Sequence, residues 1–288
     1  MEKSRAIKSR KQKFLTGLIC VLTTLCAIIF MYPILYIALG SFKTNKELLL
    51  GGAKLFPSKW VITNYVEAWR NANFSVYTMN SIFLGVGTMV LTVFITSMAG
   101  YVFSRKSFRF KEVIYGAFVA FMFVNVGSVT LRPLFELSIK LGMNKSLWSV
   151  ILIITGTGQA TYIFLARGYV NSIPKEIDEA ATIDGCTFFQ TFYKILFPLL
   201  KPITSTIALL SFRAGWNEYI LPLVFTMSND KMRPLTVGVN MLKNNGDGAA
   251  AWNILFAGAT LAIIPIVIIY FMFSKHFMTG MTAGAVKG

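Results

Sequence analysis

The chain has 288 residues, of which 55% are hydrophobic and only 14% are charged, and its formal net charge is +16. Soluble domains carry about 25% charged residues, so this composition excludes an ordinary soluble domain and indicates a membrane protein. Nucleic acid is not needed to explain the positive charge, because anionic lipids attract basic residues at the ends of membrane helices.

Long runs without charged residues recur along the chain. A helix needs roughly 20 apolar residues to cross a hydrocarbon core of ~30 Å, and each run is long enough. The uncharged runs are 14–40, 74–104, 113–131, 146–166 and 248–274, and a sixth run, 202–229, contains only Arg213 and Glu218 as charged residues. They predict an all-α integral membrane protein with six transmembrane helices.

The first run follows a basic N-terminal tail, residues 1–13. It is longer than the apolar core of a signal peptide, which has about 7–15 residues, so residues 14–40 are predicted to stay as the first transmembrane helix. Six crossings place both termini on one side of the membrane, and the basic tail predicts that this side is the cytoplasm. Residues 41–73 then form an external segment, in which an interfacial helix is expected.

The remaining helices form a core over residues 74–275, and a cytoplasmic tail, 276–288, follows. A short outer helix is expected from Pro133 onward. No disulfide and no metal site is predicted, because the three cysteines do not meet in an oxidising compartment and the single histidine, His276, has no partner nearby. Transmembrane helices two to six are predicted at about 77–103, 112–131, 147–167, 198–225 and 252–274.

Four of the chain's 12 carboxylates lie in one short segment, PKEIDEAATIDG, over residues 174–185. Proline suits the first turn of a helix, the helix dipole favours carboxylates there, and Gly185 suits a left-handed cap. A second helical stretch, TFFQTFYKILF, is expected to stop before Pro198. Residues 171–197 are therefore predicted to form a cytoplasmic loop of two short helices, although a solvated loop with a good cap fits these signals equally well.

The spacing inside this loop is more specific than its composition. Glu179-Ala180-Ala181 is followed after three residues by Gly185, after nine more by Ile195, and then by Phe197-Pro198. This arrangement resembles the EAA motif of ABC importer permeases, E-A-A-x3-G-x9-I-x-L-P, with Phe197 in place of leucine. Other segments resemble the second, shorter permease of the sugar-importing, maltose-type branch: NSI at 80–82, WNEYILPL at 216–223 and MTGMTAGAVKG at 278–288.

The resemblance implies a type I ABC importer permease fold, and a transport subunit that is not itself an enzyme. The chain has no G-x4-G-K-[ST] phosphate-binding loop, so ATP and Mg would bind to two separate cytoplasmic ATPase subunits, and no cofactor is expected on this chain. The other implied partners are a second homologous permease in a heterodimer, an external solute-binding lipoprotein, a carbohydrate substrate and the lipid of the bacterial cytoplasmic membrane. The implied ATPase contacts are Glu179, Ala180, Ala181, Asp184 and Gly185 in the loop and Gly284, Ala285, Val286, Lys287 and Gly288 in the tail.

A substrate pathway is predicted from the polar residues within the apolar runs. Charged side chains there are costly and usually face a cavity or a partner, and Arg213 and Asn217, four residues apart, share one helix face. Trp216 is suited to stack on a sugar ring. Small residues of the fourth helix fit helix packing as well as a pathway, and Glu218 fits a contact with a partner subunit. The predicted pathway residues are Asn125, Gln159, Tyr162, Arg213, Trp216, Asn217 and Glu218.

Two other classes of membrane protein are alternatives. An ion-coupled secondary transporter needs a carboxylate near the bilayer midplane, and only Glu218 comes close. A membrane-embedded enzyme would need an HExxH motif, paired carboxylates or a Ser/His constellation within a span, and the sequence contains none of these there. The sequence does not distinguish a neutral sugar from an anionic glycan as the substrate.

Overall fold

The structure, a computed structural model, describes residues 2–52, 54–124, 127–244 and 251–285. Within these ranges every regular element is a helix, as the apolar runs predict. The α-helices are α1 (Glu2–Gly40), α2 (Asn45–Leu50), α3 (Thr63–Asn71), α4 (Phe74–Arg105), α5 (Lys111–Phe121), α6 (Leu131–Lys140), α7 (Leu147–Ser172), α8 (Glu176–Ile183), α9 (Phe188–Gln190), α10 (Phe197–Leu199), α11 (Lys201–Asn217), α12 (Ile220–Phe225), α13 (Leu235–Met241) and α14 (Trp252–Ala285). Short 3₁₀ segments cover Gly127–Thr130, Asp230–Met232 and Leu242–Asn244, and a π-helical segment covers Thr191–Leu196.

Part of the predicted membrane topology is present in the described residues. The helical segments long and apolar enough to cross a membrane are Gln12–Gly40, Phe74–Arg105, Leu147–Ser172 and Trp252–Met272. A further crossing is added if the bent pair Phe188–Leu199 and Lys201–Asn217 counts as one span. The prediction of an all-helical membrane protein is therefore confirmed, whereas six transmembrane helices and the side on which the termini lie stay predictions.

The third predicted helix, 112–131, is shorter in the structure. α5 contains 11 residues and ends at Phe121. The next amides bond to carbonyls three residues back, Met122 to Val119 at 3.2 Å and Phe123 to Ala120 at 3.1 Å, and such tightened turns commonly end a helix. Since ~11 residues rise only about 16 Å, α5 alone is too short for a ~30 Å core. The short helix expected after it is present as α6.

The fifth predicted helix, 198–225, is divided in the structure. The stretch that ends at Leu199 meets α11 at an angle of 79°. Pro202 lies in the first turn of α11, where its missing amide hydrogen costs no hydrogen bond. α11 then ends at Asn217, because the next residue, Glu218, has an extended backbone with ψ of 132°. The Glu218 carboxylate accepts a hydrogen bond from Leu221 N–H at 3.2 Å, which supports the start of α12.

One compact unit comprises Met1–Asn71 and Leu242–Leu261. Asn64 of α3 is buried in it, donates to the carbonyls of Ser41 and Lys43 at 2.7 and 2.9 Å, and accepts a hydrogen bond from Asn253 at 2.8 Å. The side chain of Lys43 is also buried, and its ammonium group donates to a backbone carbonyl, that of Lys54. These bonds tie the external segment to the rest of its unit.

α3 lies where the sequence predicts an interfacial helix in the external segment, and its contact with a membrane surface stays a prediction. Its side chains Val66 and Trp69 are 51% and 50% exposed, as on a helix that contacts a membrane surface. In the same unit, the N–H and the hydroxyl of Ser58 both donate to Glu47 Oε1 at 2.8 Å. These hydrogen bonds favour the charged form of the carboxyl, and they lower the pKa of Glu47 below its ordinary value.

The other unit, Ala72–Met241 and Ala262–Gly288, is built on the packing of α4, α7 and α11. Small residues let these helices approach closely, as is typical of membrane helices. A Cβ added at Gly87 would lie 2.7 Å from the side chain of Ile151, and one added at Gly100 would lie 2.6 Å from Ala166. α4 and α7 therefore run parallel, and Gly215 of α11 abuts the backbone of α4.

The NSI segment at the start of α4 holds the loop that follows α12. Asn80 donates to the carbonyls of Lys231 and Arg233 at 2.8 and 2.9 Å, and the hydroxyl of Ser81 accepts from Leu235 N–H at 2.8 Å. These bonds satisfy backbone groups of an irregular segment, which would otherwise be unpaired. The two polar side chains therefore have a structural role.

Candidate functional site

The acidic segment folds as α8, and its first turn carries three carboxylates, as predicted. The helix ends in a Schellman motif. Cys186 N–H donates to the Ala181 carbonyl at 2.9 Å, and Gly185 N–H donates to the Thr182 carbonyl at 3.1 Å. Gly185 has φ of +81°, so the predicted left-handed cap is confirmed.

The second short helix of the loop begins with a capping box. Gln190 N–H donates to Thr187 Oγ1 at 3.3 Å, and Thr187 N–H donates to Gln190 Oε1 at 2.8 Å. The helical backbone continues through the π-helical segment and past Pro198 to Leu199, so the prediction of a stop before Pro198 is wrong. In a regular α-helix the proline ring would clash with the carbonyl four residues back, and here the wider π-helical turns precede it.

The residues predicted to contact an ATPase do not all lie on one surface. Glu179, Ala180, Asp184 and Gly185 are exposed, whereas Ala181 is only 2% exposed. The first four form a small surface at the end of α8. The Ala181 side chain instead faces the interior of the protein. A larger side chain at this position would displace α8.

Three large apolar side chains beside this surface were not identified from the sequence. Ile183, Phe189 and Tyr193 are 85%, 66% and 74% exposed. Large exposed apolar side chains in an otherwise polar loop indicate a contact with another protein or a membrane. We define the coupling face as the exposed residues Glu179, Ala180, Ile183, Asp184, Gly185, Phe189 and Tyr193. The sequence signal was their position in the two short helices on either side of the caps at Gly185 and Thr187, in a segment predicted to lie outside the membrane.

The predicted pathway residues of α11 separate into two groups. Trp216 is 2% exposed, and its ring stacks on that of Phe212 with centroids 5.6 Å apart. The prediction that Trp216 stacks on a sugar is therefore wrong for this structure, because no ring face is free. Arg213 and Asn217 are both exposed, as their shared helix face predicts.

The predicted pathway residues of α7 lie deeper. Gln159 is 8% exposed, and neither its amide nitrogen nor its amide oxygen has a hydrogen-bond partner among the described residues. Tyr162 is half-buried. Asn125, the pathway residue predicted on the third helix, lies outside the described residues. Among the described pathway residues, Arg213 and Asn217 are therefore exposed, whereas Gln159 and Trp216 are buried, and a shared pathway stays a prediction.

Glu218 lines a cavity of about 710 Å³ between α5, α7 and α12. Phe121, Thr157, Thr161 and Leu221 are among the other lining residues. Because the Glu218 carboxylate accepts the Leu221 amide and its carbonyl accepts the Thr236 hydroxyl at 2.9 Å, Glu218 shapes the break between α11 and α12. This structural role weakens the argument for an ion-coupling carboxylate.

The predicted ATPase contacts of the C-terminal tail are described only in part. Gly284 and Ala285 lie in the last turn of α14. Val286, Lys287 and Gly288 lie outside the described residues. The tail contact therefore stays a prediction.

Comparison with known families decides what kind of protein this is. A sequence profile of the family described as "Binding-protein-dependent transport system inner membrane component" matches residues 97–282, which is more than half of the chain and includes α8 and the coupling face. The chain belongs to this family. It is a multi-pass permease of the cytoplasmic membrane, and the resemblance indicated by the EAA motif is confirmed.

Similar proteins and a solved structure extend the match over nearly the whole permease. It is 33% identical over 257 residues to the "Probable ABC transporter permease protein YurM" of Bacillus subtilis, covering 89% of this chain and 84% of that protein. It is 31% identical over 286 residues to the "Arabinooligosaccharides transport system permease protein AraQ" of Halalkalibacterium halodurans, covering 98% and 100%. A chain in the crystal structure of a bacterial ABC transporter involved in the import of the acidic polysaccharide alginate matches with a TM-score of 0.80 and 25% identity, covering 93% of this chain and 98% of that chain.

Proposed function

We propose that this permease moves a sugar or an oligosaccharide from an external binding protein into the cytoplasm, driven by ATP hydrolysis on separate ATPase subunits. The cargo named for AraQ is an arabinooligosaccharide, and the cargo of the solved relative is alginate. Both are carbohydrates, and they differ in charge. The similarity therefore supports the chemical class of the substrate and no single sugar.

The observation that carries the proposed coupling to an ATPase is the coupling face. Two backbone hydrogen bonds fix the turn at Gly185, and a capping box fixes the start of the next helix. The helices on either side of these two caps expose both polar side chains, such as Glu179 and Asp184, and large apolar ones, such as Phe189 and Tyr193. Such a mixed surface is typical of a protein–protein interface with an apolar centre and a polar rim.

The proposed assembly contains this permease, a second homologous permease, two ATPase subunits that bind ATP and Mg, and an external solute-binding lipoprotein. In it the permease has six spans, and both termini and the coupling face lie in the cytoplasm, where the tail adds a second ATPase contact. α1 is proposed to lie at the edge of the assembly. The argument is that its side chains from Gln12 to Leu35 are all exposed. In a membrane, such a helix contacts lipid or another subunit.

Reconstitution in proteoliposomes tests the proposed function. With the full set of subunits, uptake of carbohydrate is expected to require ATP inside and binding protein outside. Uptake is expected to persist when ionophores collapse the ion gradients, because the energy comes from ATP hydrolysis. Uptake that stops with the ion gradient, or that needs no second permease, would contradict the proposal.

Cysteine labelling is expected to separate the two groups of residues on α11. In a variant whose three native cysteines are replaced by alanine, cysteines at Arg213 and Asn217 should react with a water-soluble thiol reagent. Arg213 lies about 18 Å along α11, and an arginine that faces lipid at that depth would cost several kcal/mol. Its exposed face therefore meets water or a partner subunit.

A cysteine at Trp216 is the matched control and should stay unreactive, since this side chain is buried. Substrate or binding protein should change the labelling rate at Arg213 or Asn217. Labelling of both positions only by lipid-soluble reagents would show that this face of α11 points to the bilayer.

A further inference from the structure

One arginine connects three helices beneath the coupling face. Arg105 is the last residue of α4. Its Nε donates to Asp178 Oδ2 at 2.8 Å, in the first turn of α8, and its Nη2 donates to the carbonyl of Ile173 at 2.8 Å. Ile173 is the residue that caps α7. The two edges of one guanidinium group therefore hold the ends of α4 and α7 and the start of α8 together.

Tyr101, one turn before Arg105 on α4, adds contacts to both halves of the loop. Its hydroxyl donates to the second carboxylate oxygen of Asp178 at 3.3 Å. Its ring stacks on Phe188 and Phe192, with centroids 4.4 and 5.3 Å apart. α8 is thus held through Asp178, and the helix after it is held through aromatic packing. We call Tyr101, Arg105, Ile173 and Asp178 the latch.

The ion pair of the latch is less exposed than the other ion pairs of the described residues. The side chains of Arg105 and Asp178 are 7% and 19% exposed. In each other pair at least one partner is more than half exposed, for example Arg167 and Glu112 at 16% and 69%. Exposed pairs contribute little to stability, whereas breaking a desolvated pair leaves an uncompensated charge and is strongly unfavourable. The latch is therefore a stiff connection.

We propose that Arg105 is a positioning residue that transmits the movement of the coupling face to α4 and α7. Asp178 directly precedes Glu179, so a force applied to the coupling face acts on Asp178 and, through the guanidinium group, on the ends of two membrane helices. Lysine has one donor group in place of the arginine fork and is unable to hold both acceptors with the same geometry. This inference rests on the proposed coupling to an ATPase.

The test compares ATP hydrolysis with uptake in the reconstituted complex. Arg105→Gln and Asp178→Asn are expected to keep the ATPase bound and to change ATP hydrolysis by less than about twofold, while uptake falls about tenfold, a typical size for a coupling between two sites. The double variant should be no worse than either single variant, because both remove the same connection. Arg105→Lys should restore part of the uptake. Equal losses of hydrolysis and uptake, additive defects or normal uptake would overturn the latch.

Three further variants separate a failure of the latch from a failure to fold and from a failure of the coupling proposal. Tyr101→Phe retains the ring stacking and removes only one hydrogen bond, so it folds even if the charge variants do not, and it should lower uptake per ATP hydrolysed. Glu112→Gln breaks an ion pair between α5 and α7 without touching the loop, and it should change nothing. Glu179→Lys is measured in parallel. If it leaves uptake normal, the coupling proposal itself fails; if it stops uptake while the Arg105 variants are normal, only the latch fails.

Discussion

Valine in place of Gly185 is expected to lower ATP-driven uptake by about tenfold or more, since a left-handed backbone costs an L-residue ~1–2 kcal/mol. Gly185 has φ of +81°, and no atom lies within 4 Å of the position of an added Cβ. The effect therefore comes from backbone strain alone. To relieve it, the turn must open, and α8 then changes its angle to the rest of the coupling face. Uptake, ATPase binding and the amount of permease in the membrane are the quantities to measure.

Gly142 provides a matched control for this experiment. It ends α6 in the same Schellman motif, with Met143 N–H bonded to the Ser138 carbonyl at 2.8 Å and Gly142 N–H to the Ile139 carbonyl at 2.9 Å. Its φ is +69°, and an added Cβ again meets nothing within 4 Å. Gly142→Val therefore imposes the same strain far along the chain from the coupling face. An equal loss of uptake in both variants would show that destabilisation, and not coupling, is responsible.

The elements that the sequence predicts well are those decided by neighbouring residues. Carboxylates in a first turn and a glycine one residue past the C-terminal cap, Asp184, fix α8 through contacts within about five residues. The membrane spans are also predicted well, because the apolar composition of a span is recognisable without knowing which helices pack against it. The two caps within residues 171–197 could therefore be predicted from the sequence, whereas the end of the second helix, past Pro198, could not.

The predictions that fail concern which side chains are buried and where a helix ends within the membrane. In a lipid environment a helix face that packs on protein and a face that contacts lipid are both apolar, so periodicity does not reveal which face is buried. An indole ring suits a sugar and also suits a core, and Trp216 lies in the core. An uncharged run likewise does not show where a helix stops, and α5 ends ten residues early. The Arg105–Asp178 pair joins residues 73 positions apart, for which no local pattern exists.

Two long helices, α4 and α7, approach each other closely at Gly100 of α4. An added Cβ there would lie 2.6 Å from Ala166 Cβ and 3.0 Å from both the Ala166 carbonyl carbon and the Arg167 amide nitrogen of α7. Two of these three atoms belong to the backbone, so no side-chain rotation relieves the contact. Ala166 and its neighbour in the core, Val170, are 1% and 0% exposed. Any side chain at Gly100 must therefore push α4 and α7 apart.

Leucine in place of Gly100 is expected to destabilise the permease by at least about 1–3 kcal/mol, the usual cost of overpacking a core, and to lower both its melting temperature in detergent and its amount in the membrane. Gly168→Leu is the control: Gly168 lies on α7, close to the same contact, but it is exposed and an added Cβ meets nothing within 4 Å. Leucine also favours a helix more than glycine does, so this variant should keep the wild-type melting temperature or slightly exceed it. Because both variants make the same chemical change, a difference between them measures the approach of α4 to α7. Equal melting temperatures would mean that the two helices do not touch at Gly100 in the assembled transporter, and the packing of α4 on α7 would then have to be revised.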